Sequence, residues 1–327
     1  MTDNLALLHP AEPLGAKAAG ALCEKLTANI ERVVRGKREA VELALTAIIA
    51  RGHLLIEDVP GVGKTTLAQA LARSLDLSFS RIQFTSDLLP ADILGVSVYD
   101  GTKGAFDFKP GPIFANLILA DEINRTTPRT QSCLLEAMGE GRVSMDGVTR
   151  ALPQPFSVIA TQNPHEHAGT FPLPESQLDR FLLRVTIGYP AADVERRLLI
   201  SGGAEDDLGA LEPVANAETL AALQSTAQKV RVPDEVADYA LRLCEATRAS
   251  PAVALGVSTR GAIALVRAAQ AWACSRGRDF VAPDDVKRLA SSVLAHRIVP
   301  AGSEGGAGRS EAARIVADLA ERIAVPA

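Results

Sequence analysis

Glu57-Asp58-Val59-Pro60-Gly61-Val62-Gly63-Lys64-Thr65-Thr66 decides the fold. The apolar run His53-Leu54-Leu55-Ile56 enters this stretch, and an amphipathic segment over residues 67–75 leaves it. Apolar strand, glycine-rich turn and a helix opening on Lys-Thr form the context of a phosphate-binding loop. Gly61 and Gly63 permit a tight turn whose N–H groups come against phosphate oxygens. The positive end of the helix dipole adds to that attraction. Pro60, Val62 and Thr66 belong to the same cradle, Lys64 reaches the β- and γ-phosphates, and the Thr65 hydroxyl is a Mg²⁺ ligand. One position departs from G-x-x-x-x-G-K-[ST]: Asp58 stands where the pattern has glycine. The competing reading is an ordinary glycine-rich strand–helix turn.

Composition narrows the class. A chain of 327 residues suits two domains, each with a core. The apolar share of 47 % and charged share of 22 % are those of a globular protein rather than a disordered one. A net charge of −5 and only 4 % aromatics argue against a nucleic-acid binder, which needs a basic surplus or stacking rings. Cys23, Cys133, Cys244 and Cys274 lack C-x-x-C spacing and read as reduced, buried thiols. The first ten residues carry Asp3 and no basic segment leading into an apolar core, so no signal peptide is expected. The apolar run over residues 43–50 is too short to span a bilayer. The expected location is the cytoplasm.

Along the chain, residues 1–22 read as a loosely ordered lead-in rich in Ala, Pro and Gly. Residues 22–50 read as helix, broken at Arg35-Gly36-Lys37, and a second strand covers residues 79–84. Residues 85–108 look like an insertion carrying a β-hairpin. Leu117-Ile118-Leu119-Ala120 is a buried parallel strand that ends on Asp121-Glu122. Asp146-Gly147 between alternating runs marks a second hairpin, within residues 142–152. Another buried strand, residues 156–161, runs out into Gln162-Asn163-Pro164. Strands alternating with helices imply a parallel sheet covered on both faces, here over residues 23–190. A helix and linker follow over 191–215. Residues 216–300 read as an all-helical second domain, and 301–327 as a glycine-rich linker with a short helix.

Asp121-Glu122 at a strand end is the second half of a nucleoside-triphosphate site. Asp121 would hold Mg²⁺ through water and Glu122 would polarise the attacking water. Asn163, at the next strand tip, could fix that water, and it reads equally as an Asn-Pro turn former. Arg180 could stabilise transition-state charge, or pair with Asp179 or Glu175. Arg260 could reach the nucleotide from the second domain, or be a solvated helix-start residue. His165-Glu166-His167 is too compact, and too short of further ligands, for a metal site.

Residues 114–125 and 131–138, Ala160-Thr161-Gln162-Asn163-Pro164, Gly169-Thr170-Phe171-Pro172-Leu173-Pro174-Glu175 and residues 177–181 together resemble the MoxR family of AAA+ ATPases. Arg81-Ile82-Gln83-Phe84-Thr85, Gly111-Pro112-Ile113-Phe114 and His296-Arg297-Ile298 carry the resemblance further, so that it covers roughly residues 25–300 in order. It implies an α/β P-loop core with a small helical lid. It makes Lys64 and Thr65 Walker A, Asp121 and Glu122 Walker B, and Asn163 sensor 1. Arg180 becomes the arginine finger aimed at a neighbouring subunit's γ-phosphate. Arg260 becomes sensor 2, with Thr259 where the family more often has proline. The adenine would lie against residues 33–36, Val34 and Gly36 among them. Loops with Asp at the position of Asp58 occur in this family. The hairpins at 96–108 and 143–150 resemble the second-helix insert and the hairpin before sensor 1. Both mark a clade that also holds magnesium-chelatase motors and replicative helicases. The implied function is Mg²⁺-dependent ATP hydrolysis by a ring subunit, expected to be hexameric. The ring would remodel or activate a partner protein, often one with a von Willebrand factor A domain. The alternatives are a magnesium-chelatase-like motor, a nucleic-acid motor with basic hairpin tips, and a nucleotide-gated scaffold that barely turns ATP over.

Overall fold

The computed structural model describes residues 12–163, 169–201, 208–302 and 307–326. Helices α1 (Ala16–Glu31) and α2 (Arg38–Ile49) lead into β1 (Leu54–Glu57) and α3 (Lys64–Ser74). Then come β2 (Phe79–Gln83), α4 (Pro90–Leu94), and the hairpin of β3 (Gly95–Asp100) and β4 (Ala105–Pro110). β5 (Leu117–Asp121) and α5 (Pro128–Glu140) precede the hairpin of β6 (Arg142–Met145) and β7 (Val148–Ala151). β8 (Ser157–Gln162), α6 (Glu175–Leu178), β9 (Leu183–Val185) and α7 (Ala192–Ser201) complete the first half.

The main sheet has the order β2-β5-β8-β1-β9, and every pairing in it is parallel. The period-two pleat of its strands feeds two cores. Leu54, Ile56, Leu117, Leu119 and Ile159 face α1, α2 and α3. Leu55, Ile118, Ala120, Val158 and Ala160 face α5 and its surroundings. That alternation explains why the continuous apolar runs form strands covered on both sides.

The lid contains α8 (Ala217–Gln228), α9 (Asp234–Ala249), α10 (Thr259–Ser275) and α11 (Pro283–Leu294). To the helices expected there the structure adds a short antiparallel pair, β10 (Val253–Leu255) with β11 (Val299–Pro300). Tyr239, Leu243, Leu265, Trp272 and Leu289 of the lid join the same apolar cluster as α1 and α2. The last helix, α12 (Ala307–Arg322), docks on the lid through Ala312, Val316 and Ala320. Lys287 in α11 reaches Glu321 in α12 at 2.8 Å. The N-terminal expectation needs correction: α1 begins at Ala16, inside the stretch read as a loose lead-in. Ala19, Cys23, Leu26 and Ile30 form its buried stripe at helical spacing.

Candidate active site

Strand order places the site. At the C-terminal edge of the sheet, β1 runs into the phosphate loop, its neighbour β8 ends next to Asn163, and the next strand, β5, ends on Asp121. This edge is where parallel sheets gather ligands. Gly61 and Gly63 have φ of 82° and 88°, the left-handed region that glycine enters without strain, and nothing lies within 4 Å of where a Cβ would sit on either. The loop therefore presents an open face ahead of α3, whose first residue is Lys64. The Lys64 Nζ donates to the carbonyls of Asp58 at 2.6 Å and Val59 at 3.2 Å, which holds the ammonium at the loop.

Asp58 accounts for the missing glycine. Its buried carboxylate accepts the N–H of Val59 at 2.8 Å through Oδ1. Through Oδ2 it accepts those of Ile187 at 2.7 Å and Gly188 at 2.6 Å. Three N–H donors satisfy the charge, and the side chain ties the loop to the segment after β9. Ile187 also lines a pocket of about 400 Å³ with Gly36, Ala40, Leu43, Thr186 and Ser291, between the core and the lid. Val34 is buried just before Gly36, whose φ is 70°.

Asp121 and Glu122 are engaged by residues that sequence reasoning missed. Thr161 donates from Oγ1 to Asp121 Oδ1 at 2.6 Å and accepts the N–H of Glu122 at 2.9 Å. Arg81 grips Asp121 Oδ2 from Nη2 at 2.6 Å and Nε at 3.2 Å. Gln83 donates to Glu122 Oε2 at 3.1 Å, and Arg125 Nε pairs with the same oxygen at 3.1 Å. Glu122 itself sits at φ 56°, a left-handed region that residues with a Cβ seldom enter. The available signal was the polar face of β2, Arg81 and Gln83 alternating with Ile82.

Among the described residues no cluster of three His, Cys, Asp or Glu could hold a metal, and His165-Glu166-His167 lies outside them. A Mg²⁺ site needs no such cage. One carboxylate and one hydroxyl, Asp121 and Thr65, are hard oxygen donors of the kind that hold it beside phosphates and water. Burial pushes the four thiols up, Cys23 to about 12 and Cys133, Cys244 and Cys274 to about 11. At neutral pH they are protonated, which argues against thiol chemistry.

Arg180 and Arg260 lie elsewhere. Arg180 Nη1 donates to the carbonyl of Leu135 on α5 at 2.7 Å. His53, just before β1, bonds the carbonyl of Met138 on the same helix at 3.0 Å, while its Nδ1 accepts the N–H of Val158. Burial pushes His53 down to about 4, and the Arg180 and Arg260 cations push the same way, against its bond to Met138. Leu182 donates its N–H to the His53 carbonyl at 2.8 Å, so the turn bearing Arg180 lies at the N-terminal end of β1, whereas the phosphate loop leaves its C-terminal end. Four residues of strand separate those ends, roughly 13 Å. Ser258, the N-cap of α10, lies 3.5 Å from Asp179 through its Oγ, which sets the exposed Arg260 near Arg180.

Residues 53–183 match the model of the ATPase family associated with various cellular activities, and residues 245–321 match its lid domain. The chain is 50 % identical to uncharacterized protein YeaC of Bacillus subtilis, over 85 % of this chain and 87 % of that protein. It is 40 % identical to chaperone MoxR1 of Mycobacterium tuberculosis, over 89 % of this chain and 80 % of that one. The crystal structure of a candidate ATPase from Cytophaga hutchinsonii superposes with a TM-score of 0.85 at 33 % identity, covering 95 % and 97 % of the two chains.

Proposed function

Because this chain belongs to the MoxR family of AAA+ ATPases, we propose that it hydrolyses ATP within a homo-oligomeric ring and uses the cycle to remodel or activate a partner protein. The observation that carries this reading is a division of labour along β1. Gly61 to Thr65, Asn163 and Asp121-Glu122 share one end of the sheet, while Arg180 and the helix start that bears Arg260 stand at the other. A subunit so built completes its pocket with a neighbour's arginines.

Each residue then has a task. Backbone N–H groups of residues 61–65 and the Lys64 ammonium bind the β- and γ-phosphates. Thr65 and Asp121 would hold Mg²⁺, which when bound neutralises phosphate charge. Glu122 leaves Gln83 and Arg125 to take the proton of the attacking water, which Asn163 orients. The arginines from the adjoining subunit stabilise charge that develops on the γ-phosphate. The pocket beside Gly36 and Val34 takes the base. The test is ATP turnover by the purified protein with and without Mg²⁺. Turnover that persists in chelator, or none with Mg²⁺ at any protein concentration, would sink the reading.

The hairpins supply the client surface. Ser97 of β3 donates to Asp146 at the tip of the second hairpin at 2.7 Å, and Arg150 of β7 lies 3.8 Å over the ring of Phe108. The two hairpins therefore touch, and the second ends on Asp146-Gly147 rather than on the basic tip a nucleic-acid motor would carry, which favours a protein client. Tyr99 and Phe106 pack edge to face with centroids 5.4 Å apart, yet stay 58 % and 73 % exposed. Tyr99→Ser with Phe106→Ser should keep basal ATPase within about twofold, as exposed substitutions away from the site do. It should lose stimulation by a purified protein with a von Willebrand factor A domain. Unchanged stimulation would remove the hairpins from the client surface.

A further inference from the structure

We infer that Arg297 of the lid is the positioning residue for Arg180 and Arg260 together, so that its loss is felt in the neighbouring subunit's site and not in its own. The inference rests on the reading that these two arginines act across the ring.

Arg297 lies in the 3-10 turn after α11 and is 6 % exposed. Its guanidinium closes on the backbone around Arg180. Nε donates to Asp179 Oδ1 at 2.8 Å. Nη2 donates to the carbonyls of Phe181 at 2.5 Å and Asp179 at 3.4 Å. Nη1 donates to the carbonyl of Leu182 at 3.2 Å and to that of Val293. His296, neutral through burial and the adjoining Arg297 cation, adds a 3.0 Å contact from Nε2 to the Phe181 carbonyl. Residues 179, 181 and 182 are thus held from the lid, while the side chain of Arg180 departs towards α5.

The same guanidinium stem lies against the helix of the second arginine. A Cβ on Gly261 would sit 2.9 Å from Arg297 Cδ and 2.7 Å from Val257 Cγ1. Gly261 follows Arg260 directly, and its N–H is held at 3.1 Å by Ser258, the residue that also meets Asp179. The planar fork therefore fixes the turn that bears Arg180, while the aliphatic stem of the same side chain packs beside the first turn of α10, which bears Arg260. Lysine keeps the charge but has three donors on one nitrogen and cannot reproduce that fork. The bland alternative is a staple that merely fastens the lid to the core. Val286, Leu289, Val293 and Leu294 of α11 already bury themselves in the shared core, so the lid has other fastenings. A staple would weaken pocket and finger alike; a positioning residue weakens only the finger.

Mixed rings separate the two. The control pairs Glu122→Gln, which lacks a working pocket, with Arg180→Ala, which lacks the finger; composite sites recover ATPase activity. In the first arm Arg297→Lys is added to the Glu122→Gln subunit, which now contributes only its finger. Recovery should fall on the order of tenfold or more, the scale of a displaced catalytic group. In the second arm Arg297→Lys is added to the Arg180→Ala subunit, which contributes only its pocket, and recovery should equal the control. Nucleotide affinity of each double variant, read by fluorescence titration, should stay unchanged. If Arg297→Lys fails to fold, Asp179→Asn carries the same two arms. Equal losses in both arms, or loss in neither, overturn the inference alone. A control pair that recovers nothing overturns the cross-ring reading and the inference with it.

Discussion

Lys64→Ala is expected to lose ATP and ADP affinity by roughly 10²- to 10³-fold, the cost of removing one partner from a largely desolvated charge pair. The fold should survive, because Lys64 is only half-buried and its ammonium contacts loop carbonyls rather than the core. Glu122→Gln separates binding from chemistry. Its amide fills the same space and leaves the phosphate loop untouched, so ATP should bind near wild-type affinity and stay uncleaved. Titration with a fluorescent nucleotide, beside single-turnover hydrolysis, reads both variants. Tight binding by Lys64→Ala would place the phosphates elsewhere. Normal turnover by Glu122→Gln would remove Asp121-Glu122 from the chemistry.

The parts of the site read most directly from sequence are those built from contiguous residues. The phosphate loop is one stretch, Asp121-Glu122 ends an apolar run, and Asp146-Gly147 announces its own hairpin. The partners of these residues were hidden, because each is a tertiary contact between segments far apart in the chain. Thr161 reads as one more residue of a buried strand until β8 pairs with β5 and brings its hydroxyl to Asp121. Arg81 and Gln83 show only a polar strand face until β2 pairs with β5. Asp58 looks like a fault in a motif until Ile187 and Gly188 supply its donors. Domain order likewise names Arg260 as a lid residue without saying which end of β1 it faces. Helix α1 began earlier than expected because Ala16, Ala18 and Ala19 suit a helix as well as a loose lead-in. Pattern alone did not reveal that Gly20 packs on the lid, where a Cβ would lie 2.6 Å from Gly277 Cα. The strands β10 and β11, three and two residues long, are too short to show a period.

Arg180→Ala should bind ATP normally and hydrolyse it on the order of 10³-fold more slowly, the loss that follows removal of an arginine finger. Normal binding is expected because the guanidinium rests on the Leu135 carbonyl, at the end of β1 remote from its own phosphate loop. The decisive observation is made on mixing. Neither Arg180→Ala nor Glu122→Gln is active alone, yet a Glu122→Gln subunit still offers an intact Arg180 to the complete pocket of an Arg180→Ala neighbour. Each such junction has every wild-type part, so activity should return as the two proteins exchange subunits. It should pass through a maximum as the ratio is varied, since either pure protein is inactive. Dilution should abolish the recovered activity, because a dissociated pocket loses the donated guanidinium while a finger acting within its own chain would stay. Mixed rings shown to form, yet with no activity restored, would return Arg180 to a role inside its own subunit, where its bond to α5 already gives it a structural one.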